Sequence, residues 1–286
     1  QFVLILVLLN IVKIYHAAAH SKSLSYHYQA GCSIYDKDLK LLKRYPGNFC
    51  VFLDDGSYYV SDLNAYKIKK IDSHGSVIWE RTYPVHHSLS YFEEENLLVA
   101  ITLETSRIRG PLAEFSSIVA FDVDGNVRHY FGGAQQQLKL DKKLPRYRLR
   151  LRTNFQVREP LWEDTHANAV YRIPKNILSQ WHPAFTEGNF LVTLGRQYGI
   201  AIFDPTFTYI LWRMDISSYR YIHDAQVTPD GKILYYQNAF NEEFNSRIEI
   251  LDPVQRTLVW YYPKDTSMKA PAQGGTQLLE NGNILY

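Results

Sequence analysis

The chain has 286 residues, a formal net charge of +2 at pH 7, 21% charged residues and 46% hydrophobic residues. This composition is ordinary for a globular protein that buries a core, and the 22 Tyr and 14 Phe favour strands. The charge is uneven, because residues 134–160 hold eight Lys or Arg against Asp141 and Glu159. A local excess of positive charge does not by itself predict nucleic-acid binding, so nucleic acid is not a predicted partner.

The sequence opens with an apolar run from Phe2 to Val12 that ends at Lys13. The run is too short for an ordinary membrane-spanning helix, but it suits the apolar part of a signal peptide. Ala17 to Ala19 offer a cleavage site. We therefore expect residues 1–19 to be a signal peptide or an uncleaved anchor, which would be the only membrane contact, and the rest to work outside the cytoplasm.

A polar segment, residues 20–48, contains Cys32, and Cys50 lies just beyond it. In an oxidising compartment the two cysteines could pair near the mature N-terminus. Two buried free thiols are the open alternative, since two cysteines do not make a disulfide framework.

From residue 49 to residue 286, a unit of about 40 residues with several short strands recurs, which is typical of a β-propeller. Turns such as Asp54-Asp55-Gly56 separate the strands. The units end near Trp79, Trp212 and Trp260, which we interpret as packing between blades. Residues 274–286 open another unit and stop within a strand. We predict an all-β propeller fragment with four blades and part of a fifth, with no helices beyond the leader.

A histidine opens three of these units, at His87, His166 and His223. Equivalent positions in successive blades lie at equivalent radii. If that radius is the central channel, the three imidazoles converge there.

The basic insert, residues 134–160, contains a strictly alternating stretch from Arg146 to Arg152. Alternation places its four arginines on one face of an extended strand. We interpret the stretch as a solvated hairpin or a charged edge strand, with an anion-attracting rim over the channel as the alternative.

The segment from His223 to Leu234, HDAQVTPDGKIL, resembles a sequence box of the bacterial aryl-sulfate sulfotransferases. Residues 245–252, 258–261 and 274–283 follow in that family's order, and His166 to Val170 is similar to its H-x-N-S-V box. The resemblance covers roughly residues 85–286. It implies a six-bladed propeller that moves a sulfuryl group from an aryl sulfate to a phenol, without a nucleotide donor or a cofactor.

The resemblance also implies a site of three histidines and one arginine. His223 resembles the histidine that becomes sulfated, His166 and Arg196 match the second histidine and the arginine, and His87 best matches the first histidine. Leu194-Gly195 departs from the serine-rich strand that this family has before its arginine. Further expected substrate-binding residues are His86, Asn168, Asp224 and Gln226.

Two details of this expected site follow from strand geometry. Because neighbouring strand residues face opposite ways, only one of His86 and His87 should point inward. Asp224 and Gln226 could also fix the tautomer of the His223 ring.

The chemistry of these residue types fits sulfuryl transfer. A neutral imidazole can attack sulfur and form a covalent intermediate, an arginine can bind the peripheral oxygens, and a second histidine can protonate the leaving phenolate. The alternatives are a non-catalytic binding or scaffold module of the cell envelope and, less favoured, a metal site on the three histidines. A quinone-dependent dehydrogenase would need an adjacent cysteine pair that is missing. The sequence leaves the oligomeric state open.

Overall fold

A computed structural model describes most of the chain after the expected leader. The described residues are 32–35, 41–62, 65–107, 112–133, 150–152, 161–163, 166–195, 199–216, 221–238, 245–264, 268, 270, 274–279 and 281–286. The expected signal segment and Arg196 lie outside these residues. Within them, no helix is long and apolar enough to cross a membrane.

The described residues form strands joined by turns, and their helical content is two short 3-10 turns, η1 (Ile177–Gln180) and η2 (Pro183–Phe185). The first ten strands are β1 (Cys32–Tyr35), β2 (Leu41–Tyr45), β3 (Phe49–Phe52), β4 (Tyr58–Asp62), β5 (Lys67–Ile71), β6 (Val77–Thr82), β7 (Val85–Phe92), β8 (Leu97–Arg107), β9 (Leu112–Phe121) and β10 (Val127–Phe131). The others are β11 (Arg150–Arg152), β12 (Leu161–Glu163), β13 (Ala167–Arg172), β14 (Phe190–Leu194), β15 (Gly199–Phe203), β16 (Ile210–Asp215), β17 (Ile222–Val227), β18 (Ile233–Gln237), β19 (Arg247–Asp252), β20 (Thr257–Tyr262), β21 (Gln277–Leu278) and β22 (Ile284–Leu285).

Four-stranded antiparallel sheets with consecutive strand order recur along the chain, namely β3 to β6, β13 to β16 and β17 to β20. This is the blade pattern of a β-propeller, and it confirms the fold class that the sequence predicted. The chain divides into two units. Unit 1 comprises Gln1–Thr102 and Ala120–Arg128, and unit 2 comprises Leu103–Val119 and His129–Tyr286.

Unit 1 begins with the antiparallel hairpin of β1 and β2, which lies in the segment that the sequence marked only as polar. Cys32 and Cys50 form a disulfide, which settles the alternative left open above. Cys50 packs with Tyr58, Val60 and Ile71 in a small core.

Trp79 is a buried residue of β6. Its indole N–H donates to the carbonyl of Val123 at 2.9 Å, and its ring lies 6.3 Å from that of Phe121. These contacts join one repeat to the next, as the sequence predicted for this tryptophan.

In unit 2, β14, β15 and β18 are buried along their whole length, which is why their sequences are nearly continuous apolar runs. One core cluster joins the sheets β13–β16 and β17–β20 through Leu191, Ile200, Ile222 and Tyr235, with Trp212 packed against it. Trp260 packs against a second cluster that includes residues of β21 and β22.

An aspartate ends the third strand of each repeat and organises the turn into the fourth. Its carboxylate accepts hydrogen bonds from backbone N–H groups two to five residues later, as at Asp72, Asp122, Asp204 and Asp252. The backbone bond from Ser76 holds the pKa of Asp72 below its usual value, and that from Asn126 does the same for Asp122. This recurrent residue is therefore structural.

The described part of the basic insert is strand β11, which pairs with β12, and β12 in turn pairs in parallel with β9. Among the described residues β11 pairs on one side alone, which fits the edge strand that was one of the structures predicted for this stretch. The rest of the alternating stretch lies outside the described residues.

Candidate functional site

Two strands of unit 2, β13 and β17, each open their sheet with a bulge and a residue at positive φ. His166 lies just before β13 with φ +45°, and Asp224 in β17 has φ +50°. The pairing of β13 shifts between Ala167 and Ala169, and that of β17 shifts between His223 and Gln226. Such bulges redirect side chains near functional sites.

His223 is buried, with 9% of its surface exposed. Its Nδ1 is buried and has no hydrogen-bond partner among the described residues, and the Asn238 side chain lies near enough to the ring to affect its pKa. The ring of Tyr221 stacks nearly parallel to that of His223, with centroids 6.5 Å apart.

His166 is half-buried, and its ring meets Tyr221 edge to face with centroids 5.8 Å apart. Both imidazoles therefore contact the same tyrosine. Two imidazoles also supply two of the three or four ligands that zinc takes in proteins.

The environment keeps the His223 ring uncharged at neutral pH. Burial is the main cause that lowers its pKa to about 4, the positive charge that His166 can carry acts in the same direction, and the Asn238 side chain acts in the opposite direction. A neutral imidazole retains a lone pair, so the ring is chemically able to act as a nucleophile.

The next residue, Asp224, is directed toward the segment before β21. The backbone N–H of Thr276 donates to its carboxylate, and a Cβ at position 275 would overlap Oδ2, so Gly275 allows this close approach. Burial raises the pKa of Asp224 to about 7, against the lowering effect of the bond from Thr276.

Gln226 also bonds to this segment, because its amide donates to the carbonyl of Thr276 and accepts from the N–H of Leu278. The sequence predicted that Asp224 and Gln226 could fix the His223 ring. In the structure the Gln226 amide bonds to the β21 segment and Asp224 is directed toward that segment, whereas the Asn238 side chain lies near the His223 ring.

Asn168 holds β17 against β13. Its buried amide donates to the carbonyl of Ile222 at 2.7 Å, and the hydroxyl of Thr193 on β14 accepts from the N–H of Ala225 at 2.9 Å. Both bonds fix the backbone on either side of His223. Sequence reasoning missed Thr193, Tyr221 and Asn238, although Tyr221 lies two residues before a singled-out histidine.

His86 and His87 belong to unit 1, where β7 is bulged between Val85 and His87 and again between His87 and Leu89. Nδ1 of His87 lies 2.6 Å from the carbonyl oxygen of His86, and the two rings lie 4.0 Å apart. The prediction that the two histidines point in opposite directions is therefore wrong, because a bulge interrupts the alternation on which it rested.

The convergence of His87 with the histidines of unit 2 stays a prediction. Arg196 lies outside the described residues, so its place in the site stays a prediction as well.

No family model and no curated protein matches the chain. Among solved structures it is similar to a protein of unknown function from Bacteroides caccae, with a TM-score of 0.51, 16% identity, and coverage of 88% of this chain and 76% of that one. At this identity the likeness concerns the fold alone.

Two further solved structures have TM-scores below 0.5 and carry no functional argument. The β-propeller domain of Cps50 (Swd1) from Myceliophteria thermophila gives 0.44 at 13% identity, covering 82% of this chain and 58% of that one. Virginiamycin B lyase from Staphylococcus aureus with quinupristin gives 0.46 at 11% identity, covering 88% and 75%.

Proposed function

We propose that the protein transfers a sulfuryl group from an aryl sulfate to a phenol, and that His223 carries the group between the two substrates. The observation that carries the proposal is a buried imidazole with a pKa of about 4 whose neighbour Tyr221 also contacts the ring of His166. The resemblance of residues 223–234 to aryl-sulfate sulfotransferases names the reaction class.

The chemistry divides into two half-reactions. A ring nitrogen of His223 attacks sulfur, the bond from sulfur to the aryl oxygen breaks, and the phenolate leaves with a proton from His166. The acceptor phenol then returns a proton to His166 while its oxygen attacks the sulfo group, which frees His223. The two substrates balance both steps, so the reaction needs no cofactor.

The remaining residues have supporting roles in this proposal. By resemblance, Arg196 and His87 bind the sulfuryl oxygens, where charge develops in the transition state. Asn168 positions the backbone before His223 through its bond to the carbonyl of Ile222. The leader predicted from residues 1–19 would place this reaction outside the cytoplasm, with a phenyl sulfate donor as the small-molecule partner.

The test is the release of nitrophenol from a nitrophenyl sulfate by the full-length protein, with and without an added phenol. We expect release that depends on the acceptor, and an intact-mass increase of one sulfo group after brief exposure to donor. His223→Ala should lose both, whereas His74→Ala, which removes an exposed histidine, should keep both. Undiminished transfer and adduct in His223→Ala would refute the assignment.

Two other outcomes would favour the alternative functions, a non-catalytic module and a metal site. A well-folded protein that releases no nitrophenol and gains no mass favours a binding or scaffold module. Stoichiometric zinc in the purified protein, with activity lost on chelation, favours the metal site.

A further inference from the structure

Two cationic side chains lie against one aromatic ring at the edge of the β17–β20 sheet. The guanidinium carbon of Arg247 on β19 lies 4.7 Å from the ring centroid of Tyr261 on β20, and Nζ of Lys264 lies 3.5 Å from it. The two charges therefore lie within about 8 Å of each other. Like charges held this close repel, so an anion that contacts both cations would relieve the repulsion.

The described residues supply no carboxylate to neutralise this pair. Nε of Arg247 is buried without a hydrogen-bond partner, and the ammonium group of Lys264 contacts the Tyr261 ring. Glu249, two residues along β19, accepts a hydrogen bond from the Tyr235 hydroxyl at 2.6 Å. By contrast, Arg213 in the neighbouring sheet pairs with Asp215 at 3.1 Å.

The pair also has a defined place relative to the candidate site. Ile222, next to His223, pairs with Gln237, and Gln237 pairs with Arg247. Arg247 thus lies at the same end of the sheet as His223, two strands away, or about 10 Å at the usual strand spacing.

We propose that Arg247, Lys264 and Tyr261 form a binding site for a tetrahedral oxyanion, either free or borne on an ester. The guanidinium fork of Arg247 supplies directed N–H donors, among them the buried Nε, and the ammonium group of Lys264 supplies a second charge from solvent. The half-buried ring of Tyr261 keeps the two cations in place. This site is separate from the histidines and does not rest on the proposed sulfuryl transfer.

The test is isothermal titration calorimetry at constant ionic strength, with inorganic sulfate, inorganic phosphate and phenyl sulfate as three separate probes. We expect saturable binding of at least one probe to the full-length protein. Arg247→Gln should weaken it about tenfold or more, since a charge-assisted bond is lost, and Arg247→Lys should retain part of it. Lys264→Gln should weaken it less, and Lys175→Gln, which removes an exposed lysine elsewhere in unit 2, should leave it unchanged.

The affinity of His223→Ala for the anion distinguishes a site at Arg247 from a site at the histidines. If His223→Ala binds as the unaltered protein does and Arg247→Gln binds more weakly, the anion lies at Arg247 whatever the outcome for sulfuryl transfer; binding that is lost in His223→Ala and kept in Arg247→Gln would place the anion at the histidines and overturn the proposal. The proposal is overturned if no probe binds saturably, or if a protein with both Arg247→Gln and Lys264→Gln binds with unchanged affinity. Variants are compared only when their thermal unfolding without anion matches that of the unaltered protein.

Discussion

The openings of β13 and β17 each contain a bulge and a residue at positive φ, but they place their histidines in different environments. His166 is half-buried, and the amide of Asn168, two residues later, donates to the carbonyl of Ile222. His223, by contrast, is buried and its pKa falls to about 4. Asn168 from the first opening holds the backbone of the second. The difference teaches that a bulge can accompany a supporting amide in one sheet and a buried, uncharged imidazole in the next.

The largest expected effect separates the two histidines. His223→Ala should abolish the sulfo adduct and lower transfer on the order of 10⁵-fold, because the attacking atom is removed. His166→Ala should lower transfer by about 10²- to 10⁴-fold and still form the adduct slowly, because only proton transfer is lost. Single-turnover kinetics with intact-mass detection measures both steps, and an adduct that vanishes only in His166→Ala would reverse the roles.

Asp224→Asn should stabilise the protein at about pH 8 by up to about 4 kcal/mol. The folded pKa of about 7 lies above the ordinary 3.8, so the folded state binds more protons between these values. Ionising the half-buried Asp224 therefore costs stability that grows as pH rises through this window and is complete above the folded pKa. Urea unfolding of the variant and the unaltered protein should differ at about pH 8 and converge near pH 4, and a constant difference would contradict the assignment.

His223 should act with the opposite sign in an overlapping pH window. Its folded pKa of about 4 lies below the ordinary 6.5, so the unfolded state binds more protons and stability falls as pH drops between these values, by about 3 kcal/mol at most. In the unaltered protein this loss is offset by the gain from Asp224. In Asp224→Asn only the His223 effect remains, so the free energy of unfolding should fall as the pH drops through this window. In His223→Asn only the Asp224 effect remains, so the free energy of unfolding should rise. If urea unfolding shows the same pH dependence of stability for both variants across this window, the opposite signs assigned to His223 and Asp224 are wrong.

The smallest expected effect concerns the bond between the two openings. Asn168→Ala should lower the free energy of unfolding by about 1–3 kcal/mol, because the buried carbonyl of Ile222 loses its donor. Chemical denaturation measures the change, and Gln255→Ala, which truncates an exposed amide, serves as the control. A loss no larger than that of the control would show that Asn168 does not hold β17.

Much of the fold was predictable because turns and strand periodicity act locally. The turns and the apolar strands recur from repeat to repeat, a terminal tryptophan recurs in three of them, and each of these features can be recognised in a short stretch of sequence. The disulfide between Cys32 and Cys50 could not be decided in this way, because pairing requires two distant segments to meet. The orientation of His86 and His87 was predicted wrongly, because one inserted residue in β7 reverses the alternation.

The sequence by itself determined the repeat, the strand-and-turn pattern and the identity of the candidate histidines, since these depend on residue type and spacing along the chain. Only the tertiary structure decided that Tyr221 contacts both His166 and His223, that Asn238 lies near the buried ring, and that Asp224 faces Thr276. These outcomes depend on which strands become neighbours and on how much water the packing excludes. Protonation states in this site follow from that exclusion, because removing a charged group from water costs free energy that no local sequence pattern records.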